Sequence, residues 1–216
     1  ITWTDMVHYV ERVRTILPDI HIVVDIDDGY GDPNIASTVV RKLERVGASA
    51  VILEDQKRPK KCGHLPGKEL LEVNTYLDRL NAVLDSRDSL YVIARTDSPN
   101  IEEGIARANH YAEVGADAIM IEGLTDISQI PHIRESVPEN VSITVNLIAG
   151  GKTPPVTLEE LRRLKVNLVV YSTPCLFAAH AAIDDTLKEM ISSDLIIPDS
   201  RNRMSLQESN ELLSEN

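Results

Sequence analysis

The sequence repeats one pattern six times: a short, uninterrupted apolar run, then a longer segment whose apolar residues recur at helical spacing. Apolar runs without polar alternation are typical of strands in a parallel sheet that is covered on both faces. The pattern therefore predicts six βα units, preceded by a helix. The predicted strands are 22–25, 50–55, 90–95, 118–122, 141–146 and 168–171. The predicted helices are 1–17, 34–46, 70–84, 101–114, 128–136 and 158–164, with Thr4 as the N-cap of the first and Pro18 at its end.

This alternation predicts an α/β fold, and its simplest form is a (β/α)8 TIM-type barrel. Six units are two short of eight, and the sequence begins on a helix. We therefore interpret residues 1–190 as an N-terminally incomplete barrel domain that lacks two strands and the helix between them. An open sheet, and a barrel of seven or eight strands completed in another way, fit the same pattern. Residues 191–216 are predicted to form a separate C-terminal segment.

The composition argues against several classes of protein. Asp and Glu number 34 against 22 Lys and Arg, which gives a formal net charge of −12. A general nucleic-acid-binding surface is not expected, because phosphate contacts need a basic face. No apolar run approaches the length of a membrane span. The two cysteines, Cys62 and Cys175, form no disulfide framework, which favours a reducing compartment such as the cytoplasm or an organellar matrix.

Each of the first five predicted strands ends on a polar or charged residue. These residues are Asp25, Glu54, Arg95, Glu122 and Asn146. In parallel α/β folds, ligands bind at the carboxyl ends of the strands. Packing alone does not explain five consecutive polar endings, so the sequence predicts a binding site along this edge of the sheet.

The first of these endings belongs to an acidic turn that runs from Asp25 through Asp27 into Gly-Tyr-Gly. Because strand side chains alternate, the two carboxylates are expected on one face, where they can hold a hard cation such as Mg²⁺. Glu54 would reach the same ion directly or through water. An acidic turn that caps the next helix is an equally good interpretation of these residues taken alone.

A basic loop follows the second predicted strand and reads Lys57-Arg58-Pro59-Lys60-Lys61-Cys62-Gly63-His64. Nearby positive charge favours the thiolate of a cysteine, and a thiol delivered by a closing loop can also donate a proton. Gly63 gives the backbone the freedom that a gating loop needs. The alternative is a solvated basic loop with an incidental cysteine. A zinc site is less well supported, because Cys62 and His64 are too few ligands.

Five motifs, in order, resemble the isocitrate lyase and phosphoenolpyruvate mutase superfamily. They are Asp-x-Asp-x-Gly-Tyr-Gly at 25–31, Glu-Asp-Gln at 54–56, Lys-Lys-Cys-Gly-His at 60–64, Arg-Thr-Asp at 95–97 and Asn-x-x-x-Gly-Gly-Lys-Thr-Pro at 146–154. The cysteine loop makes the resemblance strongest to the methylisocitrate lyase-like branch, because the mutases usually lack it. The resemblance implies a (β/α)8 barrel and a Mg²⁺ or Mn²⁺ ion. It also implies a homo-oligomer, a dimer or tetramer, in which a last helix over 205–213 crosses to a neighbouring subunit.

The reaction implied by the resemblance is a retro-aldol-type cleavage of a 2-hydroxy or 3-hydroxy polycarboxylate. Substrates of the 2-methylisocitrate, isocitrate or substituted malate type would give an α-keto or glyoxylate-type acid and a dicarboxylate such as succinate. The alternatives are an oxaloacetate or phosphonopyruvate hydrolase, a phosphoenolpyruvate or carboxyphosphonoenolpyruvate mutase, and a barrel that has kept the metal site without turnover.

The strand endings and the motifs together assign roles. The predicted metal ligands are Asp25, Asp27 and Glu54. The predicted catalytic residues are Cys62, Arg95, Glu122, His64 and Lys61, and the predicted substrate-binding residues are Arg95, Gly63, His64, Asn146, Glu122 and Thr153. Cys62 would protonate the carbanion and Arg95 would grip a carboxylate bidentately. One departure from the family pattern is Asp28, because Ser or Thr is usual there and the carboxylate adds a negative charge beside the predicted metal.

Overall fold

The computed structural model describes residues 2–194 and 204–214. Within them, six parallel strands form one sheet in sequential order. The strands are β1 (Val23–Asp25), β2 (Ala50–Glu54), β3 (Tyr91–Thr96), β4 (Ala118–Ile121), β5 (Ser142–Asn146) and β6 (Leu168–Val170). Each lies within one residue of the predicted range at either end, so the βα reading of the apolar runs is confirmed.

The helices of the described residues follow the strands as expected. They are α1 (Trp3–Ile16), α2 (Pro33–Arg45), α3 (Val73–Ser86), α4 (Ile101–Glu113), α5 (Ile130–Ser136), α6 (Leu158–Arg163), α7 (Pro174–Ser192) and α8 (Leu206–Ser214). The sequence pattern did not predict α7. Its apolar residues, among them Phe177, Leu187 and Ile191, are exposed, and none of its residues is buried. No helix in the described part of the chain is long and apolar enough to cross a membrane.

The N-cap of the first helix lies two residues before the predicted N-cap. Thr2, not Thr4, is its N-cap, because the Thr2 hydroxyl accepts from the backbone N–H of Asp5 at 3.3 Å. The Asp5 carboxylate in turn accepts from the backbone N–H of Thr2 at 2.7 Å. This reciprocal pair is a capping box, which satisfies two otherwise unpaired amides and outcompetes a single cap further along. The helix ends at Ile16, just before Pro18.

The sequential strand order favours a barrel over a doubly wound open sheet. In a doubly wound open sheet the strand order reverses part-way, whereas here β1 to β6 follow one another with parallel pairing throughout. This is the winding of a barrel. The described strands form an open six-stranded half-barrel, with β1 and β6 at its edges. The two additional N-terminal strands stay a prediction.

Alternation along the strands separates two apolar layers. Val51 and Leu53 of β2 pack into the large core that the helices cover. Ile52 between them joins a smaller cluster on the opposite face, together with Ile93 and Met120. We call this opposite face the inner face. A side chain two residues beyond Ile52, Ile93 or Met120 lies on the same face, and this parity positions the candidate site.

The chain divides into two compact units, Ile1–Ser172 and Thr173–Asn216. The first contains the whole sheet, and the second contains α7 and α8. The sequence had placed this boundary after residue 190, near the end of α7. Part of the predicted C-terminal segment, residues 195–203, lies outside the described residues, and α8 agrees with the predicted helix over 205–213. Its exchange between subunits stays a prediction.

Candidate functional site

The polar strand endings meet on the inner face of the sheet. Glu54 follows Ile52 by two residues and Arg95 follows Ile93 by two, and these two residues are direct partners in the β2–β3 ladder. Arg95 Nη1 lies 3.4 Å from Glu54 Oε2 and 3.8 Å from Asp25 Oδ2. Its Nε lies 3.8 Å from Glu122 Oε2. Three of the five predicted endings therefore surround the guanidinium of a fourth.

Asp97 holds this guanidinium in place. Its carboxylate accepts from Arg95 Nε at 2.9 Å and from Nη2 at 3.1 Å, a bidentate pairing that leaves Nη1 directed toward Glu54 and Asp25. Burial alone would lower the pKa of Arg95, but the carboxylates of Asp97, Glu122 and Glu54 raise it above its ordinary value. Arg95 is therefore a fixed positive charge with one edge free for a ligand.

A second buried carboxylate fixes Asp97 from the helix side of the sheet. Asp55 accepts from the backbone N–H of Asp97 at 2.9 Å, from the Thr96 hydroxyl at 2.6 Å and from the Tyr111 hydroxyl at 2.8 Å. Burial raises the pKa of Asp55, and these three hydrogen bonds and the Arg107 guanidinium oppose the rise. The residue that orients Arg95 is thus itself anchored in the core.

The acidic turn differs from its prediction in one respect. β1 ends at Asp25, and Asp27 adopts a left-handed backbone with φ of 52°, so the two carboxylates do not share a face by strand alternation. They are brought together by a turn, in which the Asp27 N–H donates to Asp25 Oδ1 at 2.8 Å. The Asp27 carbonyl accepts from the Glu54 N–H at 2.8 Å, which ties the turn to β2.

Glu54 is a buried carboxylate whose charge no hydrogen bond compensates. Its side chain is fully buried, and neither oxygen has a hydrogen-bond partner. Burial raises the pKa of Glu54 to about 7, although Arg95 and Lys60 act in the opposite direction. Lys60 Nζ lies 3.3 Å from Glu54 Oε1 and forms an ion pair with Asp27. The ammonium of Lys60 therefore lies between two of the three predicted metal ligands.

Lys60, rather than Lys61, is the lysine that the structure brings into the cluster. Lys61 Nζ donates to the carbonyl of Gly67 at 2.8 Å, within the loop itself. The predicted catalytic role of Lys61 has no support from this placement. The two residues are adjacent in a loop without periodicity, so no sequence pattern distinguishes them.

The carboxylate group fits a divalent ion chemically. Hard cations take oxygen ligands, and Asp25, Asp27 and Glu54 supply three carboxylates, of which that of Glu54 has two buried oxygens without a hydrogen bond. As they stand, the carboxylates pair with Lys60 and Arg95. Across the described residues, no three His, Cys, Asp or Glu side chains are already arranged as a group that could hold a metal ion. The ligand assignment accordingly stays a prediction.

The basic loop is folded down onto this cluster. A Cβ added to Gly63 would lie 2.6 Å from Asp97 Oδ1 and 2.7 Å from Arg95 Nη2, and closer still to Glu122 Cγ. Real Cβ atoms do not approach other atoms so closely, so a glycine is required at this position. Lys68, a residue absent from the predicted site, has its ammonium 3.2 Å from Asp97 Oδ1 and also donates to the Gly63 carbonyl.

His64 joins the loop to the far side of the cluster. Its Nδ1 accepts from the backbone N–H of Lys152 at 2.8 Å, so the neutral ring carries its proton on Nε2. Nε2 lies 2.8 Å from Glu122 Oε1, but its orientation does not make a hydrogen bond. Gly151 leaves room for the His64 ring, because a Cβ there would lie 2.9 Å from His64 Cε1 and closer still to Nδ1.

Asn146 and Thr153 lie on the same side as His64. Asn146 Nδ2 donates to Glu122 Oε1 at 2.9 Å, and its Oδ1 accepts from the Ser172 hydroxyl at 2.6 Å. Thr153 is buried in the loop that follows β5. Ser172 was missed, because β6 ends on an apolar residue and gives no polar-ending signal. Cys62 lies on the folded-down loop beside Gly63, and the residue is exposed.

Comparison with known proteins shows the family to which this chain belongs. The family model described as phosphoenolpyruvate phosphomutase matches residues 1–191. The chain belongs to the phosphoenolpyruvate mutase and isocitrate lyase family. It is 32% identical over 219 aligned residues to the petal death protein of Dianthus caryophyllus, covering 99% of this chain and 68% of that protein. It is 30% identical to a 2-methylisocitrate lyase of Aeropyrum pernix, covering 88% of this chain and 62% of that protein.

Solved structures of the same family share the fold. A 2,3-dimethylmalate lyase superposes with a TM-score of 0.89 at 28% identity, covering 99% of this chain and 73% of that one. An oxaloacetate acetylhydrolase in complex with 3,3-difluorooxalacetate gives a TM-score of 0.89 at 26% identity, covering all of this chain and 75% of that one. The chain spans about two thirds of the length of the curated relatives it matches. The resemblance seen in the five motifs is thus confirmed at the level of the family.

Proposed function

We propose that this protein is a Mg²⁺-dependent carbon–carbon lyase that cleaves a 2-hydroxy or 3-hydroxy polycarboxylate. The observation that carries the proposal is the placement of Arg95, whose Nη1 faces Glu54 and Asp25 while Asp97 holds its other two nitrogens. One fixed cationic edge beside a set of carboxylates suits a substrate carboxylate on one side and a metal ion on the other. Lyases among the relatives support the reaction class.

The metal would be held by Asp25, Asp27 and Glu54. Glu54 supports this assignment, because it is a buried carboxylate without a hydrogen bond to either oxygen. Lys60 lies against the same oxygens and would have to move aside. When bound, the ion would supply Lewis acidity to an oxygen of an α-hydroxy or α-keto acid.

The chain's own residues would bind the substrate and move the proton. Arg95 would orient one carboxylate through Nη1. Glu122, with Asn146 and the Nε2 proton of His64 around it, would orient the distal polar groups. Cys62 Sγ would donate a proton to the carbanionic carbon once the loop is closed over the substrate. Cys62 is exposed and directly precedes Gly63, which lies against Arg95 and Asp97.

The test is an assay for release of an α-keto acid or aldehyde from 2-methylisocitrate, isocitrate and 2,3-dimethylmalate, with and without Mg²⁺. Cys62→Ser is expected to lower a metal-dependent rate by at least ~10²-fold, the scale of a lost general acid. Cys175→Ser is the matched control, because this second exposed cysteine lies on α7. No release from any substrate by the wild-type protein, with Mg²⁺ binding intact, would contradict the lyase.

A hydrolase is the second candidate, because the oxaloacetate acetylhydrolase structure superposes as well as the lyase does. The same carboxylate cluster and Arg95 would bind oxaloacetate, and water would be the co-substrate. The same assay run with oxaloacetate separates the two functions: release of acetate and oxalate, in the absence of lyase turnover, would favour hydrolysis. In either case the proposed substrate is a small carboxylate. We also propose a dimeric or tetrameric assembly and a cytoplasmic location.

A further inference from the structure

Asp28 makes two ion pairs that no sequence pattern predicts. Its side chain is 3% exposed, and its two oxygens face different parts of the chain. Oδ2 accepts from Arg79 Nη1 of α3 at 2.8 Å, and the Asp28 carbonyl accepts from the same nitrogen at 2.9 Å. Oδ1 accepts from Arg58 Nε at 2.9 Å and from Arg58 Nη2 at 2.6 Å.

The two arginines differ in how firmly they are held. Arg79 is buried on a helix, so its contacts with the Asp28 carboxylate and carbonyl do not depend on the loop. The Arg58 side chain is 50% exposed and belongs to the loop that carries Cys62. Its guanidinium also lies over the ring of Tyr30, 5.9 Å from the centroid. Arg58 therefore bridges from the loop to the acidic turn at the end of β1, and the Arg79 pair does not depend on it.

The arrangement also explains the departure at Asp28. An added carboxylate beside Asp25 and Asp27 would oppose burial unless it is paired. Two guanidinium groups pair it, and one of them comes from the loop that closes over the site. The charge that looks unfavourable in the sequence is therefore a docking point for this loop.

We propose that Arg58 and Asp28 are positioning residues whose ion pair holds residues 57–64 closed over the carboxylate cluster. The pair fixes the start of the loop, four residues before Cys62, while His64 and Lys68 fix its later part. Breaking the Arg58 contact releases the start of the loop and withdraws Gly63 and Cys62 from Arg95. The consequence for turnover rests on the proposed function; the consequence for loop closure does not.

Lys57 offers a matched control on the same loop. Its ammonium lies 3.5 Å from Glu69 Oε2, and both side chains are exposed. This pair lies within the loop region and makes no tie to the acidic turn. Removing the charge of Lys57 therefore changes the net charge as much as removing that of Arg58, without touching the proposed contact.

The first experiment measures amide hydrogen exchange of peptides covering 57–69 in the wild type, Arg58→Met, Arg58→Lys and Lys57→Met. Arg58→Met is expected to raise exchange in the loop by about three- to tenfold, because local opening becomes more frequent. Arg58→Lys should restore part of the protection, and Lys57→Met should leave it unchanged. Loop exchange in Arg58→Met equal to the wild type, or raised equally by Lys57→Met, would overturn the proposal.

The second measurement uses any substrate that the wild type turns over. Because only molecules with a closed loop would turn over, Arg58→Met is expected to lower kcat/KM in proportion to the fraction of molecules in which the loop stays closed, while Lys57→Met keeps the wild-type value. Asp28→Asn combined with Arg58→Met should lower it no further than the more severe single variant. Protection lost in the loop without any wild-type turnover would uphold the positioning role and contradict the lyase. A loop that is open in most molecules of Arg58→Met, with kcat/KM unchanged, would show that the closed loop is not needed for turnover, and would overturn the positioning role.

Discussion

At the scale of the residue, the site consists of charged side chains whose burial must be compensated by ion pairs or hydrogen bonds. Arg95 has four carboxylates near it and Lys60 has two, whereas the carboxylate of the fully buried Glu54 accepts no hydrogen bond. Burying a carboxylate in this way is costly unless a cation compensates it, which is why burial raises the pKa of Glu54 to about 7. Glu54 is therefore the residue whose environment most depends on what occupies the site.

Mg²⁺ is expected to stabilise the folded protein through this residue. An ion that binds only the folded state adds about 2.7 kcal/mol to the free energy of unfolding at a hundredfold excess over its Kd. Glu54→Gln removes a ligand charge and should abolish most of the rise in Tm that Mg²⁺ produces, as measured by calorimetry. Glu69→Gln changes an exposed glutamate five residues beyond the basic loop and should keep the full rise. A Glu54→Gln protein with an undiminished Mg²⁺-dependent Tm shift would show that the metal binds elsewhere.

At the scale of the element, β3 carries the site on one face and its support on the other. Arg95 and Asp97 lie on the inner face, whereas Thr96 between them points to the helix layer and donates to Asp55. Asp55 in turn receives the hydroxyl of Tyr111 from α4. A helix on one side of the sheet thus fixes a guanidinium on the other side.

Tyr111→Phe tests this coupling. It removes one of the hydrogen bonds to a buried carboxylate while keeping the ring, which packs 4.3 Å from the ring of Tyr76. We expect a loss of about 1–3 kcal/mol in the free energy of unfolding, measured in urea. Tyr91→Phe makes the same change at an exposed hydroxyl, which donates to the Asp117 carbonyl at 3.0 Å, and should cost less than about 0.5 kcal/mol. Equal costs for the two variants would contradict a structural role for the Asp55 network.

The residues of the site that lie on strands could be predicted from the sequence, whereas those on the basic loop could not. Glu54, Arg95 and Asn146 end apolar strands, and strand periodicity alone puts them on one face of one edge. The contributions of Lys60 and Arg58 were beyond such reasoning, because they depend on the path of an aperiodic loop back to the β1 turn. Local pattern carries short-range geometry, whereas ion pairs that close a loop over 30 residues or more have no local signature.

Two misplacements follow from the same limit. The pairing of Asp25 with Asp27 was derived from alternation, but the strand stops one residue after Val24 and a left-handed Asp27 makes the turn. The N-cap at Thr4 was chosen by residue type, whereas the reciprocal bonds of Thr2 and Asp5 decide the helix start. In both cases a specific hydrogen bond, rather than strand alternation or residue type, decides the local structure.

At the scale of the whole molecule, salt screens the exposed acidic side chains and the buried ion pairs to different degrees. The chain has a formal net charge of −12, while its buried charges are largely paired, as Arg95 is with Asp97 and Arg79 with Asp28. Raising NaCl from about 0.01 M to about 0.15 M shortens the Debye length from about 30 Å to about 8 Å, and this screens exposed charges far more than buried pairs.

We therefore expect added salt to raise the Tm while it loosens the basic loop. Screening the excess negative surface charge relieves self-repulsion of the compact state, and about 1 kcal/mol gained corresponds to about 2–4 °C in a protein of this size. The half-exposed Arg58 pair is screened as well, so exchange in residues 57–69 should rise with salt in the wild type but much less in Arg58→Met. Calorimetry and hydrogen exchange, both with EDTA present and repeated with KCl, measure the two responses separately. A Tm that falls with salt would mean that the ion pairs that salt screens contribute more to stability than relief of surface repulsion adds.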